Sequence, residues 1–149
     1  VLDFITPLTA EFECFSSKVY KCPAGFDTIG YGRNIEANPL SKDEKAKLVN
    51  GEVSKEVAKE WLEAELSRCY DNCASAFVWF RDLDIKRAGA LVDMAYNMGI
   101  GTLKTFKNSL SFMALQEYDK AAENFRKSKW YSQVKRRGVR ITEIIEKGA

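Results

Sequence analysis

The sequence predicts a mostly helical α+β fold with two lobes, a small N-terminal lobe with a β-hairpin and a helical C-terminal lobe. A glycine-rich segment of β-type residues, KVYKCPAGFDTIGYGR, begins at position 18. A long amphipathic stretch follows it, and only short amphipathic stretches come later. We therefore expect one domain, residues 1–149, with a hairpin lobe at about 12–53, a connecting helix at about 54–76 and a helical lobe at about 77–149.

The first third of the chain carries start and stop signals for short elements. Thr6 followed by Pro7 predicts a helix start, and we expect that helix to run to about Ser16. Proline and several glycines disfavour a long helix between about 18 and 35, so we expect a β-hairpin region there. The stretch SKDEKAKLV then begins with a serine and a glutamate at capping-box spacing, which predicts another helix start.

The rest of the chain shows helical periodicity. A helix is predicted from about 54 to 76, and a second one from 85 to 98 with Gly99 as its stop. Shorter helices fit 107–116, 119–128 and about 136–146. The apolar residues that form the two buried stripes are Ala58, Leu62, Leu66, Cys69, Cys73 and Phe77, then Ile85, Ala88, Leu91, Val92, Ala95 and Met98.

Composition excludes several classes of protein and chemistry. The chain has no histidine, which excludes Ser-His and Cys-His catalysis. Its four cysteines form no Cys-x-x-Cys pair, so we expect no zinc, no other metal and no cofactor. No apolar run approaches the ~20 residues of a membrane span, and the start VLDFITPLTAEF lacks the features of a signal peptide. Acid–base chemistry must therefore use carboxylates, Lys, Tyr or Cys.

Charge is unevenly distributed along the chain. The net charge is only +2, but residues 120–149 contain nine basic and three acidic side chains. This part either faces a polyanion, such as a cell wall, a membrane surface or nucleic acid, or forms a solvated helix face.

The segment ECFSSKVYKCPAGFDTIGYGR places an acid, a thiol and a hydroxyl at fixed intervals around the hairpin. Glu13 near a helix end is an ordinary surface carboxylate unless its apolar neighbours shield it from water. A shielded carboxyl would keep its proton near neutral pH and donate it to a glycosidic oxygen. Cys22 and Thr28 would then lie on the hairpin across the floor of a cleft. Gly30 and Gly32 either let the backbone approach a ligand or simply allow a twisted hairpin.

This pattern resembles the phage-type lysozymes, the T4-like endolysins of glycoside hydrolase family 24. In that family a Glu is followed after eight residues by Asp or Cys, after five more by Thr, and then by a run like IGYG. The segments KRAGALVDMAYNMG, TFKNSLSFM and YDKAAENFRKSKWY resemble later parts of the family, in order and at similar spacing. Four matches in one order are far more specific than one short motif.

The resemblance implies hydrolysis of the β-1,4 bond between N-acetylmuramic acid and N-acetylglucosamine in peptidoglycan. It makes Glu13 the general acid, lets Thr28 help to hold the attacking water, puts Cys22 in the place of a second catalytic carboxylate, and makes Arg137 the arginine that pairs with the acid. The positions expected to contact saccharide are Gly30, Asn34, Tyr96, Asn97, Ser109 and Asn124.

The resemblance also implies a partner and a place of action. We expect bacterial peptidoglycan as the partner, with no nucleic acid and no stable membrane insertion, and a monomer. We expect synthesis in the cytoplasm of a host bacterium, release through a membrane lesion, and action on the wall from the periplasmic side.

Two positions depart from the commoner T4-like pattern. Arg33 stands where such members often have a His that pairs with an Asp, so this pair is lost. Cys22 replaces Asp, and a thiol of ordinary pKa near 8.5 is only a few per cent ionised at pH 7. Lys21 would lower that pKa, but neighbours in a strand point to opposite faces. For the same reason we expect Asp27 to point away from Thr28.

These departures leave alternatives open. Cys22 either assists in positioning water or acts as a thiolate base, which would give an alkaline-leaning activity profile. Cys14 and Cys22 either form an inactivating disulfide or remain free thiols, which we favour. The rival functions are a noncatalytic peptidoglycan-binding protein, a lytic transglycosylase, and a nucleic-acid binder suggested only by the basic C-terminal part.

Overall fold

The computed structural model describes all residues from 1 to 149 and confirms the mostly helical α+β class. A small antiparallel sheet and nine α-helices make up the fold, with a single 3-10 turn at Phe80–Asp82. The elements are α1 (Leu2–Glu13), β1 (Ser16–Lys21), β2 (Asp27–Gly30), β3 (Arg33–Asn34), α2 (Lys42–Ala46), α3 (Lys55–Ala76), α4 (Ile85–Met98), α5 (Ile100–Leu103), α6 (Lys107–Ala114), α7 (Tyr118–Arg126), α8 (Lys129–Val134) and α9 (Arg136–Lys147).

The chain divides into two compact units. The hairpin unit comprises residues 6–65, and the helical unit comprises residues 1–5 and 66–149. Both boundaries fall inside helices, α1 and α3, because each of these helices contributes residues to both units. The finer division at about 53 and 76 stays a prediction.

Helix α1 begins earlier than the sequence predicts. It starts at Leu2 and contains Pro7, so Thr6 is not its cap. The reason is tertiary packing. Ile5 is fully buried, and the Phe4 and Ile5 side chains lie so close to Gly89 that a Cβ on that residue would be in tight contact with both. Burial of the first turn outweighs the hydrogen bond that the proline ring removes from the helix.

The sheet has the order β1-β2-β3 and is antiparallel throughout. Tyr20 of β1 pairs with Thr28 of β2, and Thr28 pairs on its other side with Asn34 of β3. Ser16 of β1 pairs with Gly30, and the register of β1 shifts between Ser16 and Tyr20. The predicted hairpin region is therefore confirmed as three strands.

A small core supports the sheet within the hairpin unit. Ile29 of β2 is fully buried and packs with Val53, Ala58 and Trp61, the last two from α3. Gly30 has φ +69°, and a Cβ there would lie 3.3 Å from the Cβ of Ala58. The glycine thus allows both the turn of the backbone and its close contact with α3.

Arg33 occupies the position where the resemblance led us to expect His, and it forms a structural cluster of its own. Its side chain is buried, bonds both carboxylate oxygens of Glu44, and donates to the carbonyls of Asn38 (3.2 Å) and Pro39 (3.0 Å). Its guanidinium also lies 5.3 Å from the ring centroid of Trp61. The hydrogen bond from Arg33 lowers the pKa of Glu44 to about 2. Arg33 is therefore held by a buried ion pair with Glu44.

Glu44 also begins a helix. Ser41 caps α2, its hydroxyl accepting from the Glu44 N–H at 3.1 Å while the Glu44 carboxylate accepts from the Ser41 N–H at 2.8 Å. The predicted capping box is confirmed, although α2 is only five residues long.

In the helical unit, α4 follows the prediction closely. Asp84 caps its start by accepting from the Arg87 N–H at 3.1 Å, and Gly99, with φ +85°, ends it. Ile85 was predicted to be buried and is 60% exposed instead, because it stands in the first turn, before the buried run begins at Ala88.

The later helices are confirmed within a few residues of the predicted ranges, and two helices were missed. Helices α5 and α8 have only four and six residues, too few to show a period. Helix α9 is strongly amphipathic, and its Ile141, Ile144 and Ile145 are fully buried. None of the helices combines the length and apolar character needed to cross a bilayer.

The two cysteines of α3 differ in burial. Cys73 is fully buried, where desolvation raises the pKa of its thiol to about 12, and its Sγ lies 3.8 Å from the carbonyl oxygen of Leu91. Cys69 is partly buried. The predicted core role thus holds fully for Cys73 alone.

Candidate active site

Glu13 is the last residue of α1, three residues before the predicted end of the helix. Cys14 ends the helix with a left-handed backbone, φ +57°, while its N–H still donates to the carbonyl of Ala10 at 3.2 Å. This abrupt stop fixes the position at which the Glu13 side chain leaves the helix.

The Glu13 carboxyl lies directly against the backbone of Gly32, in the loop between β2 and β3. A Cβ on Gly32 would lie 2.9 Å from Cδ of Glu13 and 3.4 Å from its Cβ. Gly32 also has φ +75°, a backbone conformation that side chains disfavour. The second glycine of the IGYG run is therefore favoured for two reasons, the positive φ of its backbone and the closeness of the Glu13 carboxyl. The group that approaches this backbone is the acid, not a ligand.

Cys22 lies in a closed turn between β1 and β2. Its N–H donates to the Phe26 carbonyl at 3.0 Å, and its carbonyl accepts from the Gly25 N–H at 2.8 Å. The pKa of the Cys22 thiol is lowered, chiefly by a hydrogen bond from the Phe26 backbone, with smaller contributions from the Ala24 and Gly25 backbones and from the Thr28 side chain; partial burial opposes the shift. The turn therefore favours the thiolate.

Thr28 lies on the same face of the hairpin as Cys22. It is almost fully buried, and its single hydroxyl hydrogen is donated either to the Phe26 carbonyl at 3.0 Å or to the Cys22 sulfur. The structure thus brings the predicted thiol and hydroxyl into direct contact.

The charged neighbours of these two residues pair with each other. Lys21 and Asp27 are opposite one another in the sheet and form an ion pair of 2.7 Å. The lowered pKa of Cys22 therefore arises chiefly from hydrogen bonds within its turn, above all the one from the Phe26 backbone. Cys14 and Cys22 are both free thiols, which agrees with the alternative that leaves them unpaired.

Tyr20 is a member of this cluster that the sequence analysis missed. The pKa of its phenol is raised by burial first, and then by the charges of Glu13, Cys22 and Cys14. The phenol therefore shares one neighbourhood with the acid and the thiol. The available signal was its place in β1, two residues before Cys22 and hence on the same face.

Two predicted saccharide contacts also belong to the hairpin unit. Asn34 pairs with Thr28, and its side-chain oxygen accepts from the N–H groups of Glu36 and Ala37, both at 3.0 Å. Gly30 is buried against α3. Both positions thus have structural roles beside the predicted one.

Arg137 forms a buried ion pair in the helical unit. Its Nε and one terminal nitrogen bond the two carboxylate oxygens of Asp93 at 3.0 and 2.9 Å, and Asp93 is fully buried in α4. Asp93 was not predicted as a partner of Arg137, although a single carboxylate within the apolar run LVDMA indicates a buried charge that needs a partner. Two buried charges in bidentate contact hold the arginine in one orientation.

The remaining predicted residues lie in the helical unit. The fully buried Ser109 donates to the side-chain oxygen of Asn124 at 2.6 Å, which fixes the orientation of that amide. Asn97 is exposed, and its side-chain oxygen accepts from the Trp130 indole at 2.9 Å. Tyr96 is half-buried in the last turn of α4.

The hairpin cluster contains the groups that acid–base hydrolysis needs. A carboxyl can donate a proton, a thiolate can accept one, and hydroxyls can hold a water. No group of three or more Cys, Asp or Glu side chains is arranged to hold a metal ion.

Comparisons with known proteins agree on one family. The profile of the phage lysozyme family matches residues 10–143. The chain is 27% identical over 148 residues to Probable T4-type lysozyme 2 of Dictyostelium discoideum, and 26% identical to Probable T4-type lysozyme 1 of the same organism; each match covers 88% of this chain and 86% of the relative. It is 31% identical to the Pre-baseplate central spike protein Gp5 of Enterobacteria phage T4, over 88% of this chain but only 25% of that protein.

Proposed function

The chain belongs to the phage lysozyme family and is a muramidase-type glycoside hydrolase of peptidoglycan, and on that premise we propose which bond it cleaves and with which residues. The bond is the β-1,4 linkage from N-acetylmuramic acid to N-acetylglucosamine. Glu13 is the general acid, and Cys22 and Thr28 hold and activate the attacking water. The observation that carries this proposal is the cluster of the acid at the end of α1 with the thiol and the hydroxyl of the hairpin that follows it.

Glu13 is suited to protonate a leaving-group oxygen because its position is tightly defined. The helix ends at Glu13, and the glycine loop packs against its carboxyl. A general acid must reach the glycosidic oxygen within hydrogen-bonding distance, so a fixed carboxyl contributes directly to the rate.

Cys22 either positions the attacking water or, as a thiolate, takes its proton. A thiolate base of ordinary pKa would give an alkaline-leaning profile, but the hydrogen bonds of the turn lower the pKa of this thiol, so thiolate forms at a lower pH than it does for an ordinary cysteine. Activity that depends on this thiolate should rise with pH as Cys22 loses its proton, and the rise should come nearer to neutrality.

Cys22→Ser separates the two roles left open for this residue. The serine hydroxyl does not ionise in this range, and it lies back from the position of the sulfur because a C–O bond is shorter than a C–S bond. A thiolate base therefore predicts loss of the rising limb, whereas water positioning alone predicts a uniform decrease. Activity equal to that of the parent at every pH would contradict both roles.

The resemblance to the family implies roles for residues of the helical unit as well. Arg137, oriented by Asp93, would pair with the acid. Asn124, with its amide oriented by Ser109, would contact saccharide together with Tyr96 and Asn97. From the hairpin unit, Gly30 and Asn34 would do the same.

Release of soluble muropeptides from purified peptidoglycan tests the role of Glu13. We expect Glu13→Gln to abolish release, because the amide keeps the shape of the side chain and lacks the proton. Glu11→Gln is the matched control, since Glu11 is an exposed residue of the same helix. Release by Glu13→Gln at the parent rate, or equal losses in both variants, would contradict the assignment.

We further propose that the chain acts as a monomer, without nucleic acid, and reaches the wall from the periplasmic side after the membrane has been opened. Expression of the enzyme inside host cells should then cause lysis only when the cytoplasmic membrane is also opened. Lysis from within without any membrane lesion would contradict this route.

A further inference from the structure

Strand β1 carries a bulge just before the site. The pairs Ser16–Gly30 and Tyr20–Thr28 leave three residues of β1, 17–19, opposite the single residue Ile29. Hydrogen bonds hold the bulge: Ser16 Oγ donates to the Lys18 carbonyl at 2.7 Å, and the Ser17 carbonyl accepts from the Val53 N–H at 2.9 Å. Bulges re-aim side chains and are common beside active sites.

The bulge determines which side chain stands opposite Thr28. Continuing the register of the Ser16 pair without it would put Lys18 there. With the bulge, Tyr20 and Thr28 form the cross-strand pair, and their Cβ atoms are expected about 4.5–5.5 Å apart. Cys22 is two residues farther along and shares the face. The tyrosine, the threonine and the thiol are therefore adjacent on one side of the hairpin.

We propose that the hydroxyl of Tyr20 holds the attacking water together with Cys22, as a further residue of the reacting face; this inference rests on the proposed function of that site. A water that attacks a sugar carbon must direct a lone pair at the carbon, so both of its hydrogens need acceptors. Cys22 accepts one hydrogen, and the phenol oxygen of Tyr20 accepts the other.

The environment of the other groups explains why a further acceptor is needed. Thr28 is 3% exposed, and its one hydroxyl hydrogen, now donated to the Phe26 carbonyl, would hold the water by donating to its second lone pair, which leaves both water hydrogens to other acceptors. Tyr20 is 38% exposed, so its hydroxyl can meet solvent. The raised pKa of the phenol keeps it neutral at physiological pH, in the form that both donates and accepts a hydrogen bond.

Tyr20→Phe tests the hydroxyl while keeping the ring. We measure kcat and KM on soluble peptidoglycan fragments, together with the melting temperature. Loss of one hydrogen bond to the reacting water should lower kcat about 10-fold. KM and the melting temperature should stay at the parent values, because the half-exposed ring still packs. Tyr118→Phe is the matched control and should match the parent, since Tyr118 lies in the helical unit, where its ring stacks on Arg87.

The outcomes separate this inference from the function on which it rests. Parent kcat in Tyr20→Phe, with Glu13→Gln inactive, would overturn the role of Tyr20 and leave the proposed function standing. A raised KM at unchanged kcat would also overturn it, because the hydroxyl would then contact saccharide and not water. Activity retained in Glu13→Gln would overturn both.

Discussion

Gly32→Ala should displace the Glu13 carboxyl without changing any side chain that takes part in the proposed reaction. The new methyl group would lie 2.9 Å from Cδ of Glu13, and ordinary contacts between carbon atoms begin near 3.4 Å. The methyl group would also clash with Oε1 of the same carboxylate, so the carboxyl or the loop must move by more than about 0.5 Å, and a misplacement of about 1 Å can cost about 100-fold in rate. We expect kcat on peptidoglycan fragments to fall at least 10-fold.

The same substitution also strains the backbone, and that effect needs its own control. Gly32 and Gly51 have almost equal φ values, +75° and +76°, but a Cβ on Gly51 meets no atom within 4 Å. Alanine at either position should cost about 1–2 kcal/mol of unfolding free energy, measured by denaturant titration. Only Gly32→Ala should lose activity in the folded protein. Parent activity in Gly32→Ala, or an equal loss in Gly51→Ala, would refute the argument.

Three further predictions concern stability and thiol reactivity. Glu44→Gln should lower the unfolding free energy by roughly 2–3 kcal/mol at pH 7, because the pKa of Glu44 is about 2 in the folded protein; the difference from the parent should disappear as pH falls from about 4.5 to about 2, and a difference that persisted at pH 2 would contradict it. Asp93→Ala should cost about 3–5 kcal/mol in denaturant unfolding, because Arg137 loses its bidentate buried partner, and a loss below 1 kcal/mol would count against that pairing. Iodoacetamide at neutral pH should modify Cys22 first and Cys73 last, as peptide mapping by mass spectrometry would show; the reverse order would contradict the pKa directions of the two thiols.

The sequence predicted those parts of the fold that depend on local signals. The stop at Gly99 and the capping box at Ser41 are short-range patterns, and both are present in the structure. The predicted start of α1 was wrong, because burial of Ile5 outweighs the local preference of Pro7 for the first turn of a helix. Such packing is invisible in a local pattern.

In the candidate site, too, local sequence patterns predicted some features, and contacts between distant residues determine the others. The spacing of Glu13, Cys22 and Thr28 in the sequence identified these three residues. The groups that contact them are brought close only where the folded chain turns back on itself. Gly32 meets the acid only because the β2–β3 loop folds back on the end of α1. The lowered pKa of Cys22 depends on backbone N–H groups, which carry no side-chain signal. Tyr20 faces Thr28 only because β1 bulges, and single-sequence patterns do not fix a register shift.

The most direct measurement is the chemical identity of the new ends that the parent enzyme makes. Products of peptidoglycan digestion are reduced with borodeuteride and examined by mass spectrometry. Hydrolysis of the proposed bond predicts deuterium on N-acetylmuramic acid at each new end. Anhydro ends without deuterium would show a transglycosylase in which no water is activated, and deuterium on N-acetylglucosamine would show cleavage of the other linkage; either result would contradict the account.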